Sequence, residues 1–276
     1  MRIGILGSGS VGRALAGKLL VLGHEVWVGT RDVAALMARG AAPGARGEPF
    51  AAWHGRNPNV KVAPFAEAAA KGEILVNATA GSVSLAALRL AGEKNLAGKI
   101  LMDIANPLDF SRGMPPSLLV CNTDSLGEQI QRAFPAARVV KTLNTMNALL
   151  MTDPQQVAAG DHTVFVSGND AGAKRQVADI LTNWLGWKQV IDLGDITTAR
   201  GTEMILPLWV CLMGVVGSPM FNFKVVKWEA STKPICAPGP LAQMSRGTPR
   251  SEADLIHRRG WFILARNLSH KRAVAG

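Results

Sequence analysis

The sequence predicts an α/β fold in which a doubly wound, Rossmann-type parallel sheet is followed by a smaller C-terminal α/β unit. Short runs that are apolar throughout alternate with helical stretches over about the first 140 residues, which is typical of strands buried on both faces. A glycine-rich turn follows the first apolar run and opens the first helical stretch, and a second apolar run follows that helix.

Six strands and five helices are predicted in this first part of the chain. The strands are expected at residues 2–6, 24–28, 60–62, 74–78, 99–104 and 138–143. The helices are expected at residues 11–22, 33–39, 64–71, 84–92 and 124–133, the last with Asp124 as its N-cap. Residues 40–59 are rich in glycine, alanine and proline and are predicted to form a long irregular loop.

The pattern weakens after the sixth strand. Two further strands are expected at residues 163–167 and 189–193, with an amphipathic helix at 171–185 between them and a long apolar helix at 198–214. We therefore expect a Rossmann domain over residues 1–142 and a small C-terminal domain over residues 143–226. Residues 227–276 are expected to be a poorly ordered basic tail, because prolines recur there and nine basic residues accompany three acidic ones.

Composition excludes several classes of function. The net charge is +10, but most of it belongs to the tail and no basic–aromatic motif accompanies it, so nucleic-acid binding is not expected. Cys121, Cys211 and Cys236 lie far apart, which favours reduced thiols in a cytoplasmic protein and indicates no metal site. No secretory signal is expected at the start of the chain. The uncharged stretch 204–223 contains Pro207, and it is predicted to be a buried or dimer-facing helix and not a membrane span.

The strongest motif has the G-x-G-x-x-G pattern and comprises Gly7, Ser8, Gly9, Ser10, Val11 and Gly12. Gly7 suits the tight turn out of a strand, Gly9 allows the backbone to approach a pyrophosphate, and Gly12 allows the helix to pack closely on the sheet. The N–H groups at the start of the helix attract the anion. Because the motif lies between a strand and a helix, it predicts a dinucleotide-binding site.

The end of the second strand indicates which dinucleotide is bound. Enzymes that use NAD place an acidic residue there to bind the ribose 2′-hydroxyl, whereas this chain has Gly29 followed by Thr30 and Arg31. A hydroxyl and a guanidinium suit a 2′-phosphate. Asp32 is interpreted as the cap of the next helix. The sequence therefore favours NADP(H) over NAD(H) and makes residues 1–142 an NADP-binding domain.

Small, hydroxyl and amide side chains follow the later strands of the predicted sheet. Ligands bind beyond the carboxyl ends of parallel strands, so these residues are candidates for the nicotinamide side of the site. The candidates are Thr79, Ala80, Asn106, Asn144 and Thr145. Hydride transfer needs mainly orientation by the protein, since the cofactor supplies the chemistry.

No residue stands out as a catalytic acid or base. His24, His54 and His162 are predicted to be structural or solvated, and His257 and His270 lie in the tail. Lys141 and Asn144 have the K-x-x-N spacing of β-hydroxyacid dehydrogenases. In those enzymes the pattern lies on a helix, whereas here it runs along and off a strand, where an odd spacing predicts opposite faces.

Several stretches together resemble the NADPH-dependent coenzyme F420 reductase family. They are residues 5–12, 22–26 and 28–31, and, in the bacterial members, residues 140–147, 161–168, 192–195, 200–203 and 206–209. The resemblance covers about residues 1–226. It implies a Rossmann domain with a small C-terminal domain, usually a homodimer, with Thr30 and Arg31 on the 2′-phosphate and the end of the sixth strand near the nicotinamide. The archaeal enzymes have histidine where this chain has Asn144.

The leading hypothesis is an NADPH-dependent oxidoreductase that transfers hydride between NADP(H) and a deazaflavin (F420) or flavin-like acceptor. That acceptor is expected in a cleft with Met204, Leu206 and Pro207 on the opposite wall. Two alternatives stay open: a small-metabolite dehydrogenase or imine reductase, and a non-catalytic NADPH-binding redox sensor. Turnover separates them, because a sensor binds NADPH without consuming it.

Overall fold

A computed structural model describes residues 1–40 and 48–227 of the chain, and it confirms the doubly wound α/β class. The strands of the described residues are β1 (Arg2–Leu6), β2 (Glu25–Thr30), β3 (Lys61–Pro64), β4 (Ile74–Asn77), β5 (Ile100–Asp103), β6 (Leu108–Asp109), β7 (Ser117–Leu118), β8 (Arg138–Thr142), β9 (Thr163–Ser167) and β10 (Gln189–Asp192). The α-helices are α1 (Ser10–Val21), α2 (Val33–Ala38), α3 (Phe50–Arg56), α4 (Phe65–Lys71), α5 (Ser84–Ala91), α6 (Glu93–Leu96), α7 (Leu126–Ala133), α8 (Ala148–Thr152), α9 (Ala171–Asp179), α10 (Ala199–Met204) and α11 (Leu206–Val216).

Eight strands form one sheet in the order β10-β9-β8-β5-β4-β1-β2-β3, and β6 and β7 form a separate two-stranded ladder. All neighbours in the large sheet are parallel except β8 and β9, which are antiparallel. The order reverses between β1 and β4: the chain runs outward through β2 and β3 on one side and through β5 and β8 on the other. Such a switch point leaves a crevice at the carboxyl ends of the strands.

The core has two layers, one on each face of the sheet, because successive side chains of a strand point to opposite faces. Ile3 and Ile5 of β1 pack with the layer under α1 and α9, whereas Leu6 belongs to the layer under α4, α5 and α7. Both layers are apolar, which explains why the strands are apolar throughout.

The boundary expected near residue 142 does not separate two domains. Residues 1–226 form one compact unit, and β9 and β10 of the expected domain 143–226 extend the same sheet. The chain reverses direction after β8, so the change in sequence pattern marks the antiparallel edge of the sheet. The tail expected over residues 227–276 lies outside the described residues except for Lys227.

Three local predictions differ from the structure. The irregular loop expected over residues 40–59 contains α3, which begins after Pro49 and buries Phe50 in the core. Ser125, and not Asp124, caps α7: its Oγ accepts a hydrogen bond from the N–H of Glu128, while Asp124 pairs with Arg132. The amphipathic helix expected to reach residue 185 is α-helical only to Asp179 and continues as a π-helical turn.

The long apolar helix expected over residues 198–214 is divided into α10 and α11 at Ile205. Pro207 lies in the first turn of α11, where a missing N–H costs nothing. By length and composition the stretch Ile196–Val216 is apolar enough to cross a membrane, although 22% of its apolar 18-residue window is buried. Its first half is nevertheless held to the rest of the fold by ion pairs, of Arg200 with Glu128 of α7 and of Glu203 with Lys141 of β8.

Candidate functional site

A groove of about 430 Å³ opens at the carboxyl ends of β1, β2 and β4, at the switch point of the sheet. Seven of the predicted cofactor residues line it, namely Gly7, Ser8, Gly9, Thr30, Arg31, Thr79 and Ala80. Ser10, Val11 and Gly12 form the first turn of α1 directly behind this lining. The other three predicted residues do not line the groove, and they follow the ends of β5 and β8; they are Asn106, Asn144 and Thr145.

The three glycines of the motif have different surroundings. Gly7 has φ +124°, and a Cβ there would lie 2.5 Å from the carbonyl oxygen of Ala78. A Cβ on Gly12 would lie 2.0 Å from the carbonyl oxygen of Gly7, so α1 packs directly on the turn. A Cβ on Gly9 would meet no atom within 4 Å and would project into open space. Gly7 and Gly12 are therefore required by the fold, whereas the fold alone does not require Gly9.

The N-terminus of α1 is suited to an anion. Gly9 is the N-cap, no side chain accepts a hydrogen bond from the first turn, and that turn contains no acidic residue. The first N–H groups of a helix without a cap need an external acceptor, and the helix dipole favours a negative one. Together with the open space at Gly9, this turn fits the pyrophosphate of a dinucleotide.

Two arginines lie at the β2 side of the groove. Arg31 follows β2 and Arg39 follows α2, and both line the cavity. Asp32 caps α2, with its Oδ1 2.9 Å from the N–H of Ala35, as expected. The sequence reasoning missed Arg39, although its position one short helix after Arg31 was a usable signal. Two guanidinium groups beside Thr30 fit a 2′-phosphate.

Asn106 and Asn144 are brought together by the structure. Asn106 Nδ2 donates to the carbonyl oxygen of Asn144 at 2.8 Å, and Asn144 Nδ2 donates to Asn106 Oδ1 at 3.0 Å. Asn144 also donates to the carbonyl oxygen of Thr202 in α10 at 3.1 Å, and Thr145 is buried beside it. The loops after β5 and β8 are thus joined to each other and to α10.

Thr79 connects the groove with the interior of the sheet. Its Oγ1 donates to Asn77 Oδ1 at 2.7 Å and lies 2.7 Å from Ser84 Oγ. Asn77 in turn donates to Asp103 Oδ1 at 2.8 Å. The Thr79 hydroxyl is therefore held in place by a buried hydrogen-bond network.

A buried ion cluster was missed by the sequence reasoning. Lys141 Nζ lies 2.9 Å from Asp103 Oδ2 and 2.8 Å from Glu203 Oε1, and all three side chains are at most 1% exposed. Burial by itself lowers the pKa of Lys141, but the two carboxylates more than compensate, so its pKa is raised above the usual value. Lys141 is therefore a charged structural amine and does not reach the groove.

The expectation that Lys141 and Asn144 project from opposite faces of a strand is wrong, because Asn144 lies beyond the end of β8. β8 ends at Thr142, and Leu143 has φ +57°, so strand alternation stops there. Both side chains consequently contact α10, Lys141 through Glu203 and Asn144 through the Thr202 carbonyl.

The three described histidines have structural surroundings. His24 stacks on Trp184 with ring centroids 4.2 Å apart, and partial burial lowers its pKa. His54 Nε2 lies 2.9 Å from the carbonyl oxygen of Val60. His162 is buried between the Pro154 carbonyl and Asn222. Within residues 1–40 and 48–227 no group of three His, Cys, Asp or Glu side chains could hold a metal ion.

Comparison with known proteins identifies the family. Residues 2–107 match the family model described as NADP oxidoreductase, coenzyme F420-dependent. A crystal structure of a candidate F420-dependent NADP reductase from Arthrobacter sp. FB24 is 61% identical, with a TM-score of 0.78, over 82% of this chain and 100% of that protein. The chain belongs to the F420-dependent NADP oxidoreductase family. This confirms the family resemblance, and it makes the chain an NADP-dependent oxidoreductase that binds NADP(H).

More distant relatives extend the comparison. The metalloreductase STEAP3 of Rattus norvegicus is 30% identical over 214 residues, which cover 75% of this chain but 38% of the relative, so the chain spans well under half of that protein. An imine reductase from Myxococcus stipitatus is 16% identical, with a TM-score of 0.52, over 79% of this chain and 63% of that one. The latter similarity shows the shared fold alone.

Proposed function

We propose that this chain transfers hydride between NADP(H) and a deazaflavin such as F420, or a flavin-like acceptor. The observation that carries the proposal is that Arg31, Arg39 and the Thr79 hydroxyl line one groove, while the amides of Asn106 and Asn144 lie outside that lining, after β5 and β8. In the described part of the chain, no histidine, cysteine or lysine lines the groove. A flavin-like ring suits such a site, because after receiving the hydride it can take the one proton it needs from water, without a donor from the protein.

Each part of the site has a proposed role. Gly9 and the first turn of α1, which includes Ser10, Val11 and Gly12, hold the pyrophosphate, and Thr30, Arg31 and Arg39 hold the 2′-phosphate. The nicotinamide is oriented by Thr79, Ala80, Asn106, Asn144 and Thr145. NADPH supplies a hydride when bound. The acceptor gains that hydride and a proton from solvent, and it lies against an apolar wall formed by Met204, Leu206 and Pro207.

Replacing Arg31 should change the cofactor preference. We expect Arg31→Ala to weaken NADPH binding by about 10- to 100-fold, because a charge-assisted contact to the 2′-phosphate is lost. NADH binding should change by less than about twofold, since NADH lacks that phosphate. Titration followed by nicotinamide fluorescence measures both constants. An equal loss of affinity for NADPH and NADH would contradict a 2′-phosphate site at Arg31.

The acceptor is tested by mixing the protein with NADPH and following absorbance of the nicotinamide band after adding F420 or FMN. Oxidation that depends on the acceptor supports the proposed reaction. Tight NADPH binding without oxidation by either acceptor would contradict it and would favour the redox sensor or a small-metabolite reductase. Failure to bind NADPH or NADH would contradict the whole assignment of the groove.

We also propose that the chain forms a homodimer in the cytoplasm through α11. This helix is uncharged, and Leu208, Val215 and Val216 on it are 52%, 87% and 54% exposed. The apolar stretch Ile196–Val216 includes Arg200 and Glu203, whose ion pairs lie within the fold, and α11 alone has 11 residues, about half the length that a membrane span needs. An exposed apolar helix of this kind is suited to pairing with the same helix of a second copy.

Sedimentation velocity tests the dimer. We expect the unmodified chain to sediment as a dimer and Val215→Glu to shift it to monomer, because a charge would be buried at the interface. Val21→Glu is the matched control: Val21 is 84% exposed near the end of α1, and its replacement should leave the dimer intact. A monomer without substitution, or a dimer unaffected by Val215→Glu, would refute the α11 interface.

A further inference from the structure

A row of buried polar side chains crosses the sheet beside Thr79, which lines the groove. Asn77, Asp103 and Lys141 occupy paired positions on β4, β5 and β8, so they project from the same face of the sheet. Each is at most 1% exposed. The row begins at the groove with Thr79, which bonds to Asn77, and it ends at Glu203 in α10. Buried polar groups at this density need complete pairing to be tolerated.

Within this row, the side chain of Lys141 contacts groups from three segments of the chain. Its ammonium group donates to Asp103 of β5, pairs with Glu203 of α10, and donates to the carbonyl oxygen of Ala105. Glu203 also accepts the N–H groups of Leu126 and Gly127 at 2.8 and 3.0 Å, which joins α10 to the start of α7. One buried cation therefore fixes the end of β5, the strand β8 and the helix α10 relative to each other.

The groups that Lys141 fixes carry the proposed nicotinamide contacts. Ala105 immediately precedes Asn106, whose amide pairs with Asn144. Asn144 is also held by the carbonyl oxygen of Thr202, next to Glu203. The Asn106 backbone is tightly placed, because a Cβ on Gly81 would lie 2.0 Å from its carbonyl oxygen. A shift of the Ala105–Asn106 turn would therefore move several groups on the nicotinamide side at once.

We propose that Lys141 is a positioning residue for the nicotinamide half of bound NADP(H), acting through the Ala105 carbonyl and through Glu203. The proposal rests on the proposed function, because it takes Asn106 and Asn144 to be at the nicotinamide. Lys141 has no role as a proton donor: its ammonium group is enclosed by two carboxylates and a carbonyl and is fully buried. Its effect on binding is confined to the end of the cofactor that these loops contact.

The test compares the binding of NADPH with the binding of a ligand that contains only the adenosine half of the cofactor. Adenosine 2′,5′-bisphosphate carries the 2′-phosphate and the adenine ribose but lacks the nicotinamide. We expect Lys141→Met to weaken NADPH binding by about tenfold, because misplaced contacts lose much of their binding energy. Binding of the bisphosphate should stay within about twofold of the unmodified protein. Calorimetric titration of both ligands, with thermal unfolding as a check of folding, measures these changes.

Two further variants make the test decisive. Lys141→Met combined with Glu203→Gln removes one charge of each sign, so it keeps the net charge of the cluster if the single variant fails to fold. This double variant should also bind NADPH more weakly while its binding of the bisphosphate stays within about twofold of the unmodified protein. Arg31→Ala is the opposite control and should weaken both ligands.

Equal weakening of both ligands in the Lys141 variants, or unchanged binding of both, would overturn the positioning role. Failure of the unmodified protein to bind NADPH would instead contradict the proposed function, and the two failures are thus distinguishable.

Discussion

Gly9→Val is expected to weaken NADPH binding by at least about 100-fold while the unliganded protein stays folded. A side chain at Gly9 meets no protein atom within 4 Å, and the backbone there (φ −72°, ψ −172°) is extended and open to a β-branched residue. The same open space lies at the uncapped start of α1, where the pyrophosphate binds in our proposal. Loss of its charge-assisted hydrogen bonds accounts for about 2.7 kcal/mol.

Two neighbouring glycines serve as controls for this prediction. Gly17→Ala lies on α1 away from the groove, where a Cβ would come only to 3.9 Å from Asn57 Oδ1, so it should stabilise the helix by about 0.5–1 kcal/mol and leave NADPH binding unchanged. Gly12→Ala should harm folding as well as binding, because its Cβ would overlap the Gly7 carbonyl. Normal NADPH affinity in Gly9→Val would exclude this turn as the pyrophosphate site.

Glu203→Ala should have the largest effect on stability, a loss of roughly 3–5 kcal/mol in the free energy of unfolding. The substitution removes the ion pair with Lys141 and the acceptor for two N–H groups at the start of α7. It leaves these donors buried without a partner and leaves Lys141 with a single carboxylate. Urea denaturation followed by circular dichroism measures the loss.

An exposed ion pair of the same kind provides the comparison. Lys224 and Asp161 form a pair with side chains 40% and 58% exposed, and Lys224→Ala should cost at most about 1 kcal/mol. The loss of unfolding free energy for Glu203→Gln should lie between those for Glu203→Ala and Lys224→Ala. An amide oxygen can still accept a hydrogen bond from α7 but carries no charge. A cost for Glu203→Ala as small as that for Lys224→Ala would mean that the buried cluster does not anchor α10.

The fold class and the dinucleotide half of the candidate site could be predicted from the amino-acid sequence. Both depend on signals that lie within a few residues of each other: apolar strands, the spacing of Gly7, Gly9 and Gly12, and the pair Thr30 and Arg31 at the end of β2. A strand-to-helix turn that binds a pyrophosphate needs glycine at these positions, and the end of the next strand contacts the adenine ribose. The prediction therefore required no knowledge of which strands are neighbours in the sheet.

The support of the proposed nicotinamide half could not be predicted in this way, because it depends on contacts between distant parts of the chain. Asp103, Lys141 and Glu203 are far apart in the sequence, and each would be assigned to a solvated surface by its charge. They meet because β5 pairs with β8 in a register that places Asp103 beside Lys141, and because α10 brings Glu203 to the same ammonium group. Likewise, β9 and β10 form an antiparallel extension of the sheet and no second domain. Such contacts depend on strand register and helix packing, which local sequence patterns do not specify.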